Sequence, residues 1–210
     1  MKNFYIVAVA IVLVTATAVK IAEANLDSAK VTVSETIHVI YEEIIANSGD
    51  SEMLKAAATD AVNRELLPRL HVEKFSKLIL AAHWKKSSAP QRSEFTRILT
   101  QFLLRTFVTA IVSNQDKLDT YLDSITIKEA KPGNTEGRAI VPMVVKYPGS
   151  DAVKIDFRMT NEGGDGWKVY DIVFQGVSFA INYRAILNSE IKKSGIDAVT
   201  ANLSEKLAYQ

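Results

Sequence analysis

Side chains with catalytic or metal-binding chemistry are few and scattered in this sequence. None of the three histidines, His38, His71 and His83, belongs to a metal-ligand pair such as H-E-x-x-H. Cysteine is absent, which excludes thiol catalysis, thiolate metal sites and disulfides. We therefore expect surface or half-buried histidines, no metal and no cofactor.

Two glycine-containing stretches resemble catalytic loops only in part. Residues 163–166, Gly-Gly-Asp-Gly, have no following lysine-serine pair and connect two strand-like segments, so they are not a phosphate loop. Gly176-Val177-Ser178 begins like a nucleophile elbow, but Ala180 stands where the second glycine would be. We predict that Ser178 is instead the N-cap of the next helix.

Asp171 is the one acid in an apolar neighbourhood, between Tyr170 and Ile172. Its carboxylate has two possible roles. It would be a structural hydrogen-bond acceptor, or a base with a raised pKa inside an enzyme cavity.

The bulk composition is that of a globular protein. Of the 210 residues, 48% are hydrophobic and 23% charged, and the formal net charge is +1. Nothing resembles the clustered positive charge of a nucleic-acid-binding surface. Because the sequence is nearly neutral and lacks a heptad seam, we expect a monomer.

The first 24 residues have the pattern of a secretory signal. Lys2 precedes an apolar stretch from Phe4 to Val19, and Ala22-Glu23-Ala24 fits the A-x-A cleavage site. The alternative is a membrane anchor, but the apolar stretch is shorter than the roughly 20 residues that span a bilayer. We predict a cleaved signal peptide and a mature chain that begins at Asn25 and lies outside the cytoplasm.

Helical periodicity dominates the first half of the mature chain. The fourth predicted helix is the longest and starts at Ser88, with Pro90 in its first turn and Gln91 three residues after the cap. The predicted helices are 27–46, 51–67, 72–84 and 88–113.

After residue 120 the apolar residues recur with period two, which is typical of strands. Turn signals at 131–134, 147–150 and 163–166 separate four such segments, so short connections predict an antiparallel meander. Pro142 inside its strand indicates an edge or a bulge. The predicted strands are 121–127, 139–147, 153–160 and 167–174.

The order of helices, strands and helices predicts an α+β fold. We expect one domain over 25–210, with a helical part at 25–115, a four-stranded antiparallel sheet at 120–175 and C-terminal helices at 178–208. Ser194-Gly195 interrupts those last helices.

The carboxyl-terminal segment WKVYDIVFQGVSFAINYRAILNSEIKKSGIDAVTANLSEK, residues 167–206, resembles the signature of the MlaC, or toluene-tolerance, family of periplasmic phospholipid-binding proteins. Residues 66–107, which include Trp84 and Leu104-Arg105-Thr106-Phe107, resemble the family's helical half. The chain departs from the family pattern at His71 and Gln175, where an acid is usual, and at the glycine positions near Ala82 and at Ala198.

The resemblance implies a cone similar to nuclear transport factor 2, with a lipid pocket between sheet and helices. It implies a non-enzymatic carrier that shuttles glycerophospholipids between an inner-membrane ABC transporter complex and an outer-membrane lipoprotein complex, and so maintains outer-membrane asymmetry. Phospholipid is then a bound cargo.

If the family's pocket is present, the strand and helix patterns predict which residues would line it. We expect the sheet to form the base of the pocket and the helices to cover it. An apolar side wall would continue past Gly176, with Arg184 nearby. The expected lipid-binding residues are Val141, Met143, Val145, Val153, Ile155, Phe157, Met159, Tyr170, Ile172, Phe174, Val177, Phe179, Ile181, Trp84, Phe102, Phe107 and Arg184.

Two alternatives belong to other classes. One is an enzyme of the same cone-like fold that uses Asp171 as its base, and the other is an adaptor domain without a cavity. For Arg184, a structural salt bridge or helix-end contact is the alternative to a headgroup contact.

Overall fold

The computed structural model describes residues 25–115, 124–146, 149 and 151–208. The predicted signal peptide, Tyr121 and most of the turn at 147–150 lie outside the described residues. The helices, numbered along the chain, are α1 (25–46), α2 (Ser51–Ala61), α3 (Val72–Leu80), α4 (Ala82–Lys86), α5 (Ala89–Val112) and α6 (Phe179–Ala208).

The start of α5 confirms the helix signal in the sequence. The Ser88 hydroxyl accepts a hydrogen bond from the Gln91 amide, and the Gln91 side chain accepts one from the Ser88 amide. This capping box satisfies two amide groups that would otherwise be unpaired at the helix start. In the described ranges, α5 is the one helix that is long and apolar enough to cross a membrane. Here it packs against α2, α3 and α6.

The single helix predicted over 72–84 was wrong. Ala81 has φ 48° and ψ −114°, and it separates α3 from α4. Between α2 and α3 the chain continues as a π-helical turn, Val62–Leu66, and a 3₁₀ turn, Leu67–Arg69. The predicted interruption at Gly195 is confirmed, because its φ of 84° divides α6 into two helical parts.

The α+β class and the antiparallel sheet are confirmed. The described residues contain six strands rather than the predicted four, because two short strands, at 131–132 and 177–178, pair outside the predicted strand segments. The sheet order is β1-β3-β4-β5-β6, with β2 beside β3. The strands are β1 (Ile125–Ile127), β2 (Lys131–Pro132), β3 (Arg138–Val145), β4 (Val153–Thr160), β5 (Lys168–Phe174) and β6 (Val177–Ser178).

Pro142 lies at a local edge of the sheet, which is one of the two positions predicted for it, an edge or a bulge. β1 pairs with β3 from Met143 onward and β2 pairs with it up to Ile140, so Pro142 faces the junction between them. Its missing N–H therefore removes no ladder bond there, while its carbonyl accepts from the Lys128 amide at 2.8 Å. The β3–β4 register runs through Pro142 without a bulge.

Three apolar clusters stabilise the described part of the chain. The largest joins α3, α4, α5 and α6 around Phe95 and Leu99. A second joins α1, α2 and α5 around Leu54. The third joins α1 to the sheet through Val33, Val141 and their neighbours. The helices therefore cover only part of the sheet, and this partial cover defines the candidate site.

Candidate functional site

One face of the sheet is apolar across its whole width. The strand register aligns Ile127 with Met143, Met143 with Ile155, Ile155 with Phe174, and Phe174 with Val177. Because aligned residues of paired antiparallel strands project from the same face, these five side chains form one row.

Further rows extend the same face, which we call the apolar face. Val141, Phe157 and Ile172 form one row, and Ile125, Val145 and Val153 form another. A fourth row contains Ala139, Met159 and Val169. With the row through Val177, the apolar face comprises Ile125, Ile127, Ala139, Val141, Met143, Val145, Val153, Ile155, Phe157, Met159, Val169, Ile172, Phe174 and Val177.

Exposure differs sharply between two opposite corners of the apolar face. At one corner α1 covers Val141 and Met159, which are both 0% exposed. At the opposite corner Phe174 is 45% exposed and Val177 is 59% exposed. A face that is closed at one corner and open at the other leaves apolar surface for a ligand to cover.

Tyr170 does not share this face, so the prediction that it projects with Ile172 and Phe174 was wrong. The β4–β5 register shifts between Arg158 and Met159, and Tyr170 is the extra residue of this bulge. Its ring instead lies under the Lys74 ammonium and the Arg138 guanidinium, at 5.0 and 5.5 Å.

The predicted helical lid residues divide into three environments. Trp84 is buried in the cluster of α3, α4, α5 and α6, with the Arg92 guanidinium over its ring. Phe102 is half-buried and contacts Tyr183 edge-on, with ring centroids 6.4 Å apart. Phe107 is 42% exposed.

The start of α6 continues the exposed apolar surface beyond Val177. Phe179 and Ile181 are 39% and 56% exposed, and the Phe179 ring lies 6.1 Å from that of Tyr183. Burial raises the pKa of the Tyr183 phenol above its ordinary value of 10.0. We define the β5–β6–α6 corner as residues 174–181.

Asp171 lies on the opposite face of the sheet, where it serves as a buried hydrogen-bond acceptor. Its Oδ2 accepts from the Ser178 hydroxyl at 2.7 Å and from the Arg158 guanidinium at 3.0 Å, and its Oδ1 accepts from the Ala180 amide at 3.1 Å. The Ser178 hydroxyl in turn accepts from the Ile181 amide at 3.1 Å, which confirms the predicted N-cap.

Arg184 makes a helix-end contact, which was one of the alternatives to a headgroup contact in the sequence analysis. Its Nε and Nη2 both donate to the Leu78 carbonyl oxygen, at 2.8 and 2.5 Å, near the end of α3. Carbonyls in a last helical turn lack intrahelical partners, so the guanidinium stabilises this turn. A headgroup role for Arg184 stays a prediction.

Sequence reasoning missed Ile125, Ile127, Ala139, Val169 and Tyr183 as members or neighbours of the site. The period-two pattern did place Ile125 and Ile127 on a strand, but only the register with β3 puts them on the apolar face. Among the described residues, no group of three His, Asp or Glu side chains converges as a metal site would require.

An α+β domain whose sheet has one apolar, partly open face has the kind of surface that suits an apolar ligand. The family model described as MlaC protein matches residues 31–205, so the chain belongs to the MlaC family. Proteins of this family are periplasmic lipid carriers and not enzymes.

Two similar proteins agree with that assignment. The chain is 25% identical over 172 residues to the intermembrane phospholipid transport system binding protein MlaC of Haemophilus influenzae, covering 79% of this chain and 76% of the relative. A solved structure of a phospholipid-binding protein from Ralstonia solanacearum, in complex with a phospholipid, has the same fold. Its TM-score is 0.70 at 19% identity, over 86% of this chain and 97% of that chain.

Proposed function

We propose that this protein is a periplasmic carrier of glycerophospholipid and that the acyl chains lie against the apolar face. The observation that carries the proposal is the contrast in exposure on this face, from fully covered at Met159 to 59% exposed at Val177. Acyl chains seated at the open corner would complete the burial that α1 begins at the closed corner. Family membership and the named activity of the Haemophilus relative support the same cargo.

The physical requirement on such a carrier is large but simple. Burying a methylene is worth about 0.8 kcal/mol, so two acyl chains with roughly 30 methylenes cost on the order of 20 kcal/mol to expose to water. A phospholipid therefore does not cross an aqueous compartment unaided. The carrier has only to keep the chains covered, and it needs no reactive group.

The route of transport follows from the same proposal. Removal of residues 1–24 would release residues 25–210 into the periplasm as a single phospholipid-binding domain. The donor and acceptor would be an inner-membrane ABC transporter complex and an outer-membrane lipoprotein complex. The relative's name places it in an intermembrane transport system, which supports this route.

Replacing Val177 by Glu tests the position of the acyl chains. A carboxylate at the open corner would lose its hydration when chains cover it, so lipid binding becomes unfavourable. We expect native mass spectrometry of the protein purified from cells to show a phospholipid on the wild type and at least a tenfold lower loaded fraction on V177E.

Met53→Glu is the matched control for this experiment. Met53 is also 59% exposed, but it lies on α2 and outside the apolar face. M53E should carry the wild-type amount of lipid. A folded V177E that keeps its full load, or an M53E that loses as much as V177E, would contradict the proposed location.

A further inference from the structure

Two sets of hydrogen bonds hold the β5–β6–α6 corner in place, one to β4 and one to the Asp171 carboxylate. Gln175 and Gly176 both have positive φ, at 48° and 81°, and form the tight turn that aligns Phe174 with Val177. The Gln175 amide donates to the Lys154 carbonyl at 2.8 Å, and the Lys154 amide donates to the Gln175 side chain at 3.1 Å. The turn is therefore attached to β4.

The other attachment is the Asp171 carboxylate, which is 1% exposed. It is the shared acceptor for three groups from three elements: the Arg158 guanidinium on β4, the Ser178 hydroxyl on β6 and the Ala180 amide in α6. A carboxylate accepting several hydrogen bonds binds its donors more strongly than a neutral acceptor does. Asp171 therefore joins the sheet to the first turn of α6.

This attachment lies directly behind the open part of the apolar face. Ser178 follows Val177 in a strand, so their side chains project from opposite faces. The bond from Ser178 to Asp171 thus fixes the direction in which Val177 points. The bond from Ala180 fixes the start of the helix that carries Phe179 and Ile181, whose apolar side chains are exposed.

We propose that Asp171 is a positioning residue for the cargo, acting as a clasp that holds the corner in place against the acyl chains and so sets the rate of lipid release. The proposal rests on the proposed function and adds a residue that controls retention without touching the lipid. Asp171 acts through Val177, Phe179 and Ile181, because its carboxylate lies on the other side of the sheet from the apolar face.

Arg158 is the outer member of the clasp. Its side chain is 38% exposed, whereas that of Asp171 is 1% exposed. Removing the negative charge therefore leaves a guanidinium that water still solvates. The variant Asp171→Asn should consequently fold, while it loses the ion pair and weakens the hold on Ser178.

The experiment measures release of a pyrene-labelled phosphatidylethanolamine from the loaded full-length mature protein to vesicles of phosphatidylethanolamine and phosphatidylglycerol. We expect D171N to release the lipid about tenfold faster than the wild type, the effect of losing one charged hydrogen bond of about 1.4 kcal/mol. The double variant D171N/R158Q, in which two amides pair, should recover at least half of this change on a logarithmic scale.

A control separates positioning from loss of stability. Leu54 is fully buried in the cluster of α1, α2 and α5, away from the corner. L54A should lower the melting temperature at least as much as D171N, yet release lipid at the wild-type rate. Equal release rates for D171N and L54A, or no recovery in the double variant, would overturn the clasp.

Two further outcomes are also decisive. Where D171N does not fold, Ser178→Ala tests the same attachment by removing one hydroxyl, and it should speed release about threefold; a wild-type rate for this variant would reject the clasp. A wild-type protein that takes up no labelled lipid would reject the proposed function itself, whereas a loaded wild type with an unchanged D171N rejects the clasp alone.

Discussion

The phenol of Tyr183 lies among aromatic rings beside the β5–β6–α6 corner. Its ring stands between Phe102 and Phe179, with centroid distances of 6.4 and 6.1 Å. These apolar neighbours disfavour the phenolate, which is why burial raises the pKa of Tyr183 above 10.0. Folding therefore favours the protonated phenol.

This raised pKa gives a testable pH dependence. In the unfolded chain the phenol ionises near pH 10, whereas in the folded protein it keeps its proton to higher pH. Its contribution to stability is therefore complete below pH 10 and is lost as the pH rises through the folded-state pKa. We expect the free energy of unfolding, measured in urea between pH 9 and 11.5, to fall less steeply in Tyr183→Phe than in the wild type.

Absorbance at 295 nm, which follows tyrosinate formation, provides the accompanying control. The folded wild type should show one more late-ionising tyrosine than Y183F does. Parallel stability curves for the two proteins would show that Tyr183 does not contribute to alkaline unfolding.

At the scale of elements, the break between α3 and α4 shows how local sequence and tertiary structure compete. Residues 72–84 are apolar at helical spacing and contain no glycine or proline, so the pattern predicts one helix. The structure instead turns at Ala81, which lets Phe75 and Ile79 of α3 and Trp84 of α4 all reach the same cluster. Packing therefore overrides propensity at this position.

Ala81 adopts a backbone conformation that favours glycine. Strain from a non-glycine residue there costs about 1–3 kcal/mol, while glycine adds roughly 0.5–1 kcal/mol of chain entropy loss. We expect Ala81→Gly to raise the free energy of unfolding in urea by about 1 kcal/mol. Ala82→Gly, which places glycine at the start of α4, should lower it instead. A destabilised A81G would show that Ala81 is unstrained.

The strands show which parts of the fold could be predicted from the sequence. Alternation in 139–145 and 153–160 predicts both the central strands and their apolar side, because burial on one face leaves a local pattern. The bulge at Tyr170 leaves no such pattern, since it depends on how β4 and β5 align. Similarly, β2 and β6 are two residues each, and they are recognisable only from their partners.

For the whole molecule, the candidate site was partly predictable for the same reason. The apolar residues of β3, β4 and β5 follow from period two, and the corner follows from the run between Phe174 and Ile181. The role of Asp171 could not be decided from its neighbours in sequence, because Arg158 and Ser178 reach it only when β4, β5 and β6 are assembled. The prediction that the cargo is a phospholipid came from the resemblance to the family, because no local sequence pattern specifies it.

A carrier whose apolar face is completed by its cargo should also be stabilised by it. A ligand that binds only the folded state at 100 times its Kd adds about 2.7 kcal/mol, which corresponds to roughly 5–10 °C in a chain of this size. Protein stripped of lipid by reversed-phase extraction and refolding should melt lower by about this amount, with an unchanged far-ultraviolet circular dichroism spectrum. Reloading from phosphatidylglycerol vesicles should restore the melting temperature.

V177E separates this effect from damage caused by the stripping procedure. Because a carboxylate at the open corner excludes acyl chains, the melting temperature of V177E should be the same before and after stripping, and vesicles should not change it. Identical melting of loaded and stripped wild-type protein would mean that the lipid is bound no more tightly to the folded state than to the unfolded one. The apolar face would then be an ordinary exposed surface, because acyl chains that complete the hydrophobic core must contribute to its stability.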